Sequence, residues 1–403
     1  MSKMSTDVPT YPLARECPFD PPKAFVGFRE SEPVKRVKLW DGSMPWIVTR
    51  YDDVRSVLTD DRFSASPLVR GFPFVTSSRT SVVSEEPQIN HIDPPAHTAL
   101  RRMLTREFMI KRIEAMRSDI EQIVAENLEA LIAKGAPADF VEHFSLPIPS
   151  AVIAKLIGVA YEDHEFFQER ALLRLSTEVA PEVSIRAGVE MAEYFDRLFA
   201  QKERNPEGGD DIVSRLTREQ ILPGHLSRKD AVTVCALLLQ AGHDTTGNMI
   251  SLGTLMFLTH PAQRAQIIEK PELVPNAVEE LLRYLSIVQH HVPRVALQDV
   301  EIGGQVIRAG DGVFALLNAA NRDPSAFENP DEFDITRQAK HHIAFSYGVH
   351  QCLGQILARI ELQTVFARLF QRLPHLKLAT TLDALQFKNE SLIYGLVKMP
   401  VSW

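Results

Sequence analysis

One stretch of this 403-residue chain concentrates chemistry: Phe345-Ser346-Tyr347-Gly348-Val349-His350-Gln351-Cys352-Leu353-Gly354. A lone cysteine stands there in a glycine-flanked loop, directly ahead of an amphipathic run. Backbone N–H groups and the dipole of a helix start favour a thiolate at such a place. Gly348 and Gly354 would let something flat and bulky come close to the backbone. Taken alone, Cys352 also fits a free loop thiol, or a zinc ligand together with His341, His342 and His350.

A second cluster is Ala241-Gly242-His243-Asp244-Thr245-Thr246, set within an otherwise apolar run. A carboxylate in such a run is costly unless it is paired or functional. Gly242 removes a side chain where a ligand could approach, and Thr245 can bond back to the Ala241 carbonyl, which bends a helix and opens a groove. An acid beside an alcohol can relay protons; the plainer reading is an ion pair at Asp244 and packing at Thr245. His97 and Arg101 lie i,i+4, and Glu280 and Arg283 lie i,i+3, each pair on one face of a helix.

The spacing Phe345-x-x-Gly348-x-x-x-Cys352-x-Gly354 resembles the haem-ligand loop of the cytochrome P-450 superfamily. Further similarities run along nearly the whole chain. Ala241 to Thr246 resembles the family's oxygen-activation motif, Glu280-Leu281-Leu282-Arg283 its Glu-x-x-Arg, and Asn321-Arg322-Asp323-Pro324 the approach to the haem loop. The Pro-Glu-Arg-Phe form of many members is replaced by Pro330-Asp331-Glu332-Phe333, which leaves open the third partner of the Glu280–Arg283 pair.

The resemblance implies a haem-dependent monooxygenase that inserts one atom of O2 into a small apolar organic substrate. Its cofactor would be haem b (iron protoporphyrin IX), with Cys352 as axial iron ligand. Asp244 and Thr245 would be catalytic. His97, Arg101, Arg294 and His350 would hold the propionates, with Phe345, Gly348, Gly354, Ala241 and Gly242 around the macrocycle. Glu280 and Arg283 would support the core. By position, Phe72, Phe74, Val83, Ile92, Leu238, Ala241, Val288, Val292 and Ile393 are candidates for the substrate pocket. With no flavin or iron–sulfur segment in the chain, electrons are expected from ferredoxin and ferredoxin reductase, docking on the helix from Asp93. That helix carries Arg101, Arg102, Arg106, Lys111 and Arg112 and can turn only one position to the propionates, leaving several cations outward.

These residues need particular elements to hold them. Lys229 to His260 is apolar or small almost all round, and some thirty residues make a helix of about 45 Å that belongs in the middle of the molecule. Asp93-Pro94-Pro95 reads as an Asp cap and a proline first turn. Ile113, Met116, Ile120, Val124, Leu128 and Leu131 carry helical spacing on to Gly135, and further helix is predicted through Val159 and from Glu165 to Glu203. The last strong helix is Gln355 to Leu373. Apolar runs around Asp41-Gly42 and around Gly303-Gly304 read as hairpins, and Val292 to Leu297 as a strand. Ser64 to Asn90 has no period and reads as a long functional loop, while 1–22 reads as an N-terminal arm. His290 and His291 read as solvent or pocket polar groups. The expected fold is mainly α: one large helix-rich domain over 1–403, with small β-sheets and a long central helix.

Composition sets outer limits. Hydrophobic residues at 45% and charged residues at 24% are globular values. A formal charge of -8 disfavours a nucleic-acid partner. Three cysteines cannot build a disulfide framework or a four-thiolate cluster. No signal peptide or membrane anchor is visible, so a cytoplasmic protein is expected. Two other functions remain in play. Val37 to Ser43 and Asp210 to Ser214 look similar to the nitric oxide reductase branch, which is reduced directly by NAD(P)H but lacks the acid supplied here by Asp244. A non-catalytic haem sensor or ligand-binding protein would need no acid–alcohol pair.

Overall fold

The computed structural model describes residues 8–77, 79–80, 88–176, 178–290 and 292–403. Val83 and His291 therefore lie outside the described residues.

The apolar run becomes a helix over Arg228–Thr259, 32 residues long, with Ser227 accepting from the Asp230 N–H at its start. Most of it from Ala231 to Phe257 is buried, because other helices wrap it on several sides: Pro147–Ile157, His164–Leu175, Pro181–Arg204, Val274–Leu285 and Gln355–Arg372. Among the described residues no helix is long and apolar enough to cross a membrane. A protein-buried helix of this length needs only mixed apolar and small residues, since its neighbours satisfy the polar ones.

Periodicity located the helices better than their breaks. The expected run from Asp93 divides into Ala96–Thr105, Ile110–Ala115 and Arg117–Lys134. It breaks because Glu107 and Phe108 both turn inward, Glu107 to meet Arg215 Nε at 2.6 Å. Asp93 is not a cap: its carboxylate accepts from the Ala65 N–H at 2.8 Å and from the Ser64 hydroxyl, tying this turn to the sheet. The segment Glu165 to Glu203 likewise splits into His164–Leu175 and Pro181–Arg204, the proline opening the second helix.

The larger sheet has the order Val34–Arg36, Trp46–Val48, Gly312–Ala315, Pro293–Ala296, Phe63–Ser64. The hairpin about Asp41-Gly42 pairs Val34 with Val48 and turns at Gly42, whose φ is 83°. The Gly303-Gly304 hairpin pairs Val300 with Ile307. The arm docks here: Thr10 bridges Lys38, and Tyr11 is buried with its hydroxyl 3.1 Å from His290 Nδ1. His290 is thus committed to the core rather than to solvent or a pocket.

Candidate active site

A cavity runs between the middle of the central helix and the Cys352 loop. Ala241, in the middle of that buried helix, is itself exposed, because the space it faces is this cavity. The Thr245 hydroxyl donates to the Ala241 carbonyl at 2.6 Å, as a groove-forming threonine should. Gly242 lines the cavity, yet the room its missing Cβ leaves is claimed by Ile153, 2.8 Å from where that atom would sit. The glycine therefore serves helix packing as well as ligand access.

Asp244 is 2% exposed and absent from the cavity wall. Its carboxylate accepts from Lys388 Nζ at 3.0 Å and from Asn248 Nδ2 at 2.9 Å. His243 is equally enclosed, its Nδ1 2.6 Å from Ser150 Oγ, and burial pushes it down to about 4. Acid and alcohol are thus chain neighbours on different faces of one helix, the alcohol toward the cavity and the acid toward a lysine.

Opposite them, the cysteine loop closes on itself: the Cys352 N–H donates to the Phe345 carbonyl at 2.8 Å, and that of Gln351 to Gly348 at 3.0 Å. Arg359 stacks over the Phe345 ring at 4.7 Å. Cys352 is open to the cavity while protein encloses it on every other side, so it counts as exposed by surface and desolvated by environment; the second description governs its chemistry. Burial raises its thiol, and the Gly354 N–H and Arg101 oppose that. Gly348 does not line the cavity. It is needed because its φ is 74° and a Cβ would sit 2.5 Å from the Leu58 carbonyl oxygen. Gly354 does line it, and a Cβ there would meet only Phe108 Cε1, at 4.0 Å.

Four cationic or titratable groups gather at one edge. The His97 and His350 rings lie 4.2 Å apart. Both nitrogens of His97 and Nδ1 of His350 are buried without a partner. Arg101 Nη2 donates to the Gln351 carbonyl at 2.6 Å. Arg294, 4% exposed on its strand, donates to the Pro293 carbonyl, and burial pushes it down to about 10. Asp93 is the nearby carboxylate that raises His97 and Arg294, but it is already tied to Ala65 and Ser64. Partnerless donors and buried guanidinium beside a cavity floored by a cysteine fit a flat metal macrocycle carrying carboxylates. They do not fit zinc: His342 bonds Glu279, His341 stacks on Phe327, and no group of three or more His, Cys, Asp or Glu could hold a metal ion among the described residues.

Of the expected substrate contacts, Leu238, Val288, Val292 and Ile393 line the cavity. Phe72, Phe74 and Ile92 do not; Phe72 is buried edge-on against Phe74 and His91 instead. The wall also holds Arg79, Arg174 and Glu361, which sequence reasoning missed. No local pattern marks them. The Glu280–Arg283 pair is fully buried, and its open third place is filled by Arg337, whose Nε lies 3.2 Å from Glu280 Oε1.

Fold and site thus define a helical protein built to enclose a cofactor against a cysteine. A family model described as Cytochrome P450 matches residues 28–392, and the chain belongs to that family, the haem-containing monooxygenases. It is 45% identical over 399 residues to Cytochrome P450-SU2 of Streptomyces griseolus, covering 98% of each chain. It is 42% identical to a pentalenic acid synthase of Streptomyces avermitilis, over 98% of this chain and 97% of that one. The solved structure of the mycinamicin VIII C21 methyl hydroxylase from Micromonospora griseorubida, bound to mycinamicin VIII, superposes with a TM-score of 0.93 at 39% identity, covering 98% of this chain and all of that one. These relatives act on different organic molecules, and this chain is an oxidoreductase of their kind.

Proposed function

We propose that the chain holds haem b with the Cys352 thiolate as axial ligand, hydroxylates an apolar organic substrate with O2, and draws electrons from a ferredoxin and its reductase. The carrying observation is one cavity in which the open Cys352 thiol, the exposed Ala241–Thr245 face and His350 meet, with the partnerless His97 ring packed behind His350. When bound, the haem supplies the activation of dioxygen.

The chain's own residues do the rest. His97, His350, Arg101 and Arg294 would take the propionates, ending the isolation of the buried His97 and His350 nitrogens. The Gly354 N–H donates toward Cys352 and steadies its charge. Thr245 keeps its hydroxyl at the cavity face by bonding Ala241. Asp244 holds proton-accepting oxygens one residue away, and Lys388, whose side chain is 13% exposed against 3% for Asp244, links that carboxylate toward solvent. Protons would enter by Lys388 and Asp244 and leave by Thr245. Leu238, Val288, Val292 and Ile393 exclude water and seat the substrate. The exposed Arg102, Arg106 and Lys111, on an otherwise acidic chain, would steer an acidic donor. Residues 1–403 are read as one domain working in the cytoplasm.

Carbon monoxide difference spectra test the ligation. The reduced protein should give the strongly red-shifted Soret band of thiolate-bound haem. Cys352→Ala should lose that band, and Cys17→Ala and Cys235→Ala should keep it. A band that survives in Cys352→Ala removes the assignment.

A further inference from the structure

Asp244 draws its countercharge from a distant segment. Lys388 Nζ lies 3.0 Å from Asp244 Oδ1 and 3.0 Å from Asn248 Oδ1, while Asn248 Nδ2 donates to Asp244 Oδ2 at 2.9 Å. The three side chains close a ring against the central helix, and none of them lines the cavity. An ammonium on two acceptors fixes the carboxylate away from Thr245, whose hydroxyl keeps to the cavity face.

Lys388 sits in a hairpin that also reaches the cavity. Phe387 bridges Leu396, and the Lys388 N–H donates to the Gly395 carbonyl at 2.8 Å. The Phe387 and Tyr394 rings stack at 5.7 Å and stiffen the two arms. Gly395 lets the hairpin lie directly on the central helix, for a Cβ there would collide with Asn248 Oδ1. In the same hairpin Ile393 lines the cavity and bridges Val288, a second wall residue. The Leu392 N–H donates at 3.4 Å to the carbonyl of Leu175, a third. A short segment cross-linked in this way transmits displacement, because packed protein is hardly compressible. Hydrogen bonds weaken steeply when their partners are drawn apart or misaligned. A small shift at Ile393 is therefore enough to loosen Lys388 from the acid.

We propose that Lys388 is a positioning residue that restrains Asp244 until the seat beside Ile393 is filled. An occupant presses Ile393 outward, the hairpin carries the ammonium off the carboxylate, and Asp244 turns to pass its proton toward Thr245. Lys388, the entry for protons, thereby also sets when they pass on. Delivery waits for substrate, which spares reducing equivalents while the cavity is empty. This regulation rests on the monooxygenase reading above and adds a condition to it.

The test reads the Lys388 amine on the haem-loaded protein, with a larger side chain at the seat standing in for substrate. Acetic anhydride labels free amines, and peptide mass spectrometry compares Lys388 with the exposed Lys398. Asp244→Asn removes a charge-assisted contact and should speed labelling of Lys388 about 10-fold, leaving Lys398 unchanged. Ile393→Trp should speed it in the same direction, and Ile393→Phe, a smaller addition, to a lesser extent. With ferredoxin, its reductase and NADPH, Ile393→Trp should also lower the share of electrons released as hydrogen peroxide. Lys388→Gln should abolish that dependence on the side chain at Ile393, and Lys388→Arg should keep it. The restraint is overturned if Asp244→Asn, or both Ile393 variants, leave Lys388 labelling as in the parent. A peroxide share that follows Ile393 equally well in Lys388→Gln overturns it too. Labelling consumes no electrons, so protein that labels as expected but fails to turn over counts against the monooxygenase reading and leaves the restraint standing.

Discussion

Arg283 and Arg294 are both buried arginines, and the protein treats them in opposite ways. Arg283, with no exposed side-chain surface, spends all its N–H groups on protein: Nε and Nη2 reach Glu280 at 2.7 and 2.8 Å, Nη1 reaches the carbonyls of Asn321 and Pro330 at 2.8 Å each, and Nη2 also reaches Glu332 at 3.3 Å. Arg294 is almost as deep but donates to the carbonyl of Pro293 beside a cavity. Taking a cation out of water costs several kcal/mol unless partners replace the water. At Arg283 the fold supplies those partners. At Arg294 it supplies the Pro293 carbonyl and an open cavity, and on the proposed reading a ligand would supply the rest. Depth of burial does not separate a structural cation from a binding one; the census of partners does.

That distinction breaks first, and hardest, at Arg283. Arg283→Ala leaves the Glu280 carboxylate buried with Arg337 and strands the carbonyls of Asn321 and Pro330. Removing one partner of a buried pair costs about 3–5 kcal/mol, a large share of the roughly 5–15 kcal/mol that holds a domain folded. The denaturation midpoint should fall sharply and little soluble protein should accumulate. An Arg283→Ala protein as stable as the parent would dissolve the contrast.

Arg294→Gln should behave in the reverse manner. Removing a buried cation with few partners should leave the haem-free protein as stable as before, or slightly more so. Haem should leave faster, by roughly 10- to 100-fold if one charge-assisted contact is lost. Transfer of haem to a scavenging apoprotein reads the second effect, and denaturation of the haem-free chain reads the first. A variant that loses stability while keeping its haem would place Arg294 with Arg283.

The same contrast explains what could be read along the chain and what could not. The cysteine loop, the central helix with Ala241 to Thr246, and the Glu280–Arg283 pair are local: their logic lies within one turn or one loop, so spacing exposes it. The partners that complete them come from far away. Arg337 reaches Glu280 across 57 residues, Lys388 reaches Asp244 across 144, and Arg79 meets Arg174 across 95. Glu107 breaks its helix for an arginine 108 residues on. Gly348 was legible as a glycine but for a different reason, since the backbone it must clear belongs to Leu58. Spacing carries information about neighbours in the chain, and none about which distant segment the fold brings alongside.

The smallest expected effect concerns buried histidines, where the contrast recurs without a formal charge. His97 has two unpartnered nitrogens beside the cavity, whereas His290 meets the Tyr11 hydroxyl and is sealed in the core. Burial pushes His290 down to about 3, and the nearby Arg15 pushes the same way. Its folded value thus lies below the ordinary 6.5 of an unfolded chain. Between those values the unfolded state binds more protons, so stability is fully present above pH 6.5 and is lost as pH falls toward the folded value. Glu279, which burial would raise but His342 and Arg359 hold at about 2, also loses stability on acidification, but only below the ordinary carboxylate value near 4.5. In the window from pH 6.5 to 4.5 each such buried histidine contributes a slope of up to about 1.4 kcal/mol per pH unit, while Glu361, whose carboxyl burial raises, works in the opposite sense and is the same in parent and variant. His290→Gln keeps a polar group for Tyr11 and cannot titrate. Urea denaturation at several pH values across that window should show a slope shallower than the parent's by that one share, with or without bound substrate. An unchanged slope would mean that His290 already carries its proton in the folded protein, and that a protein partner does not by itself hold a buried histidine neutral.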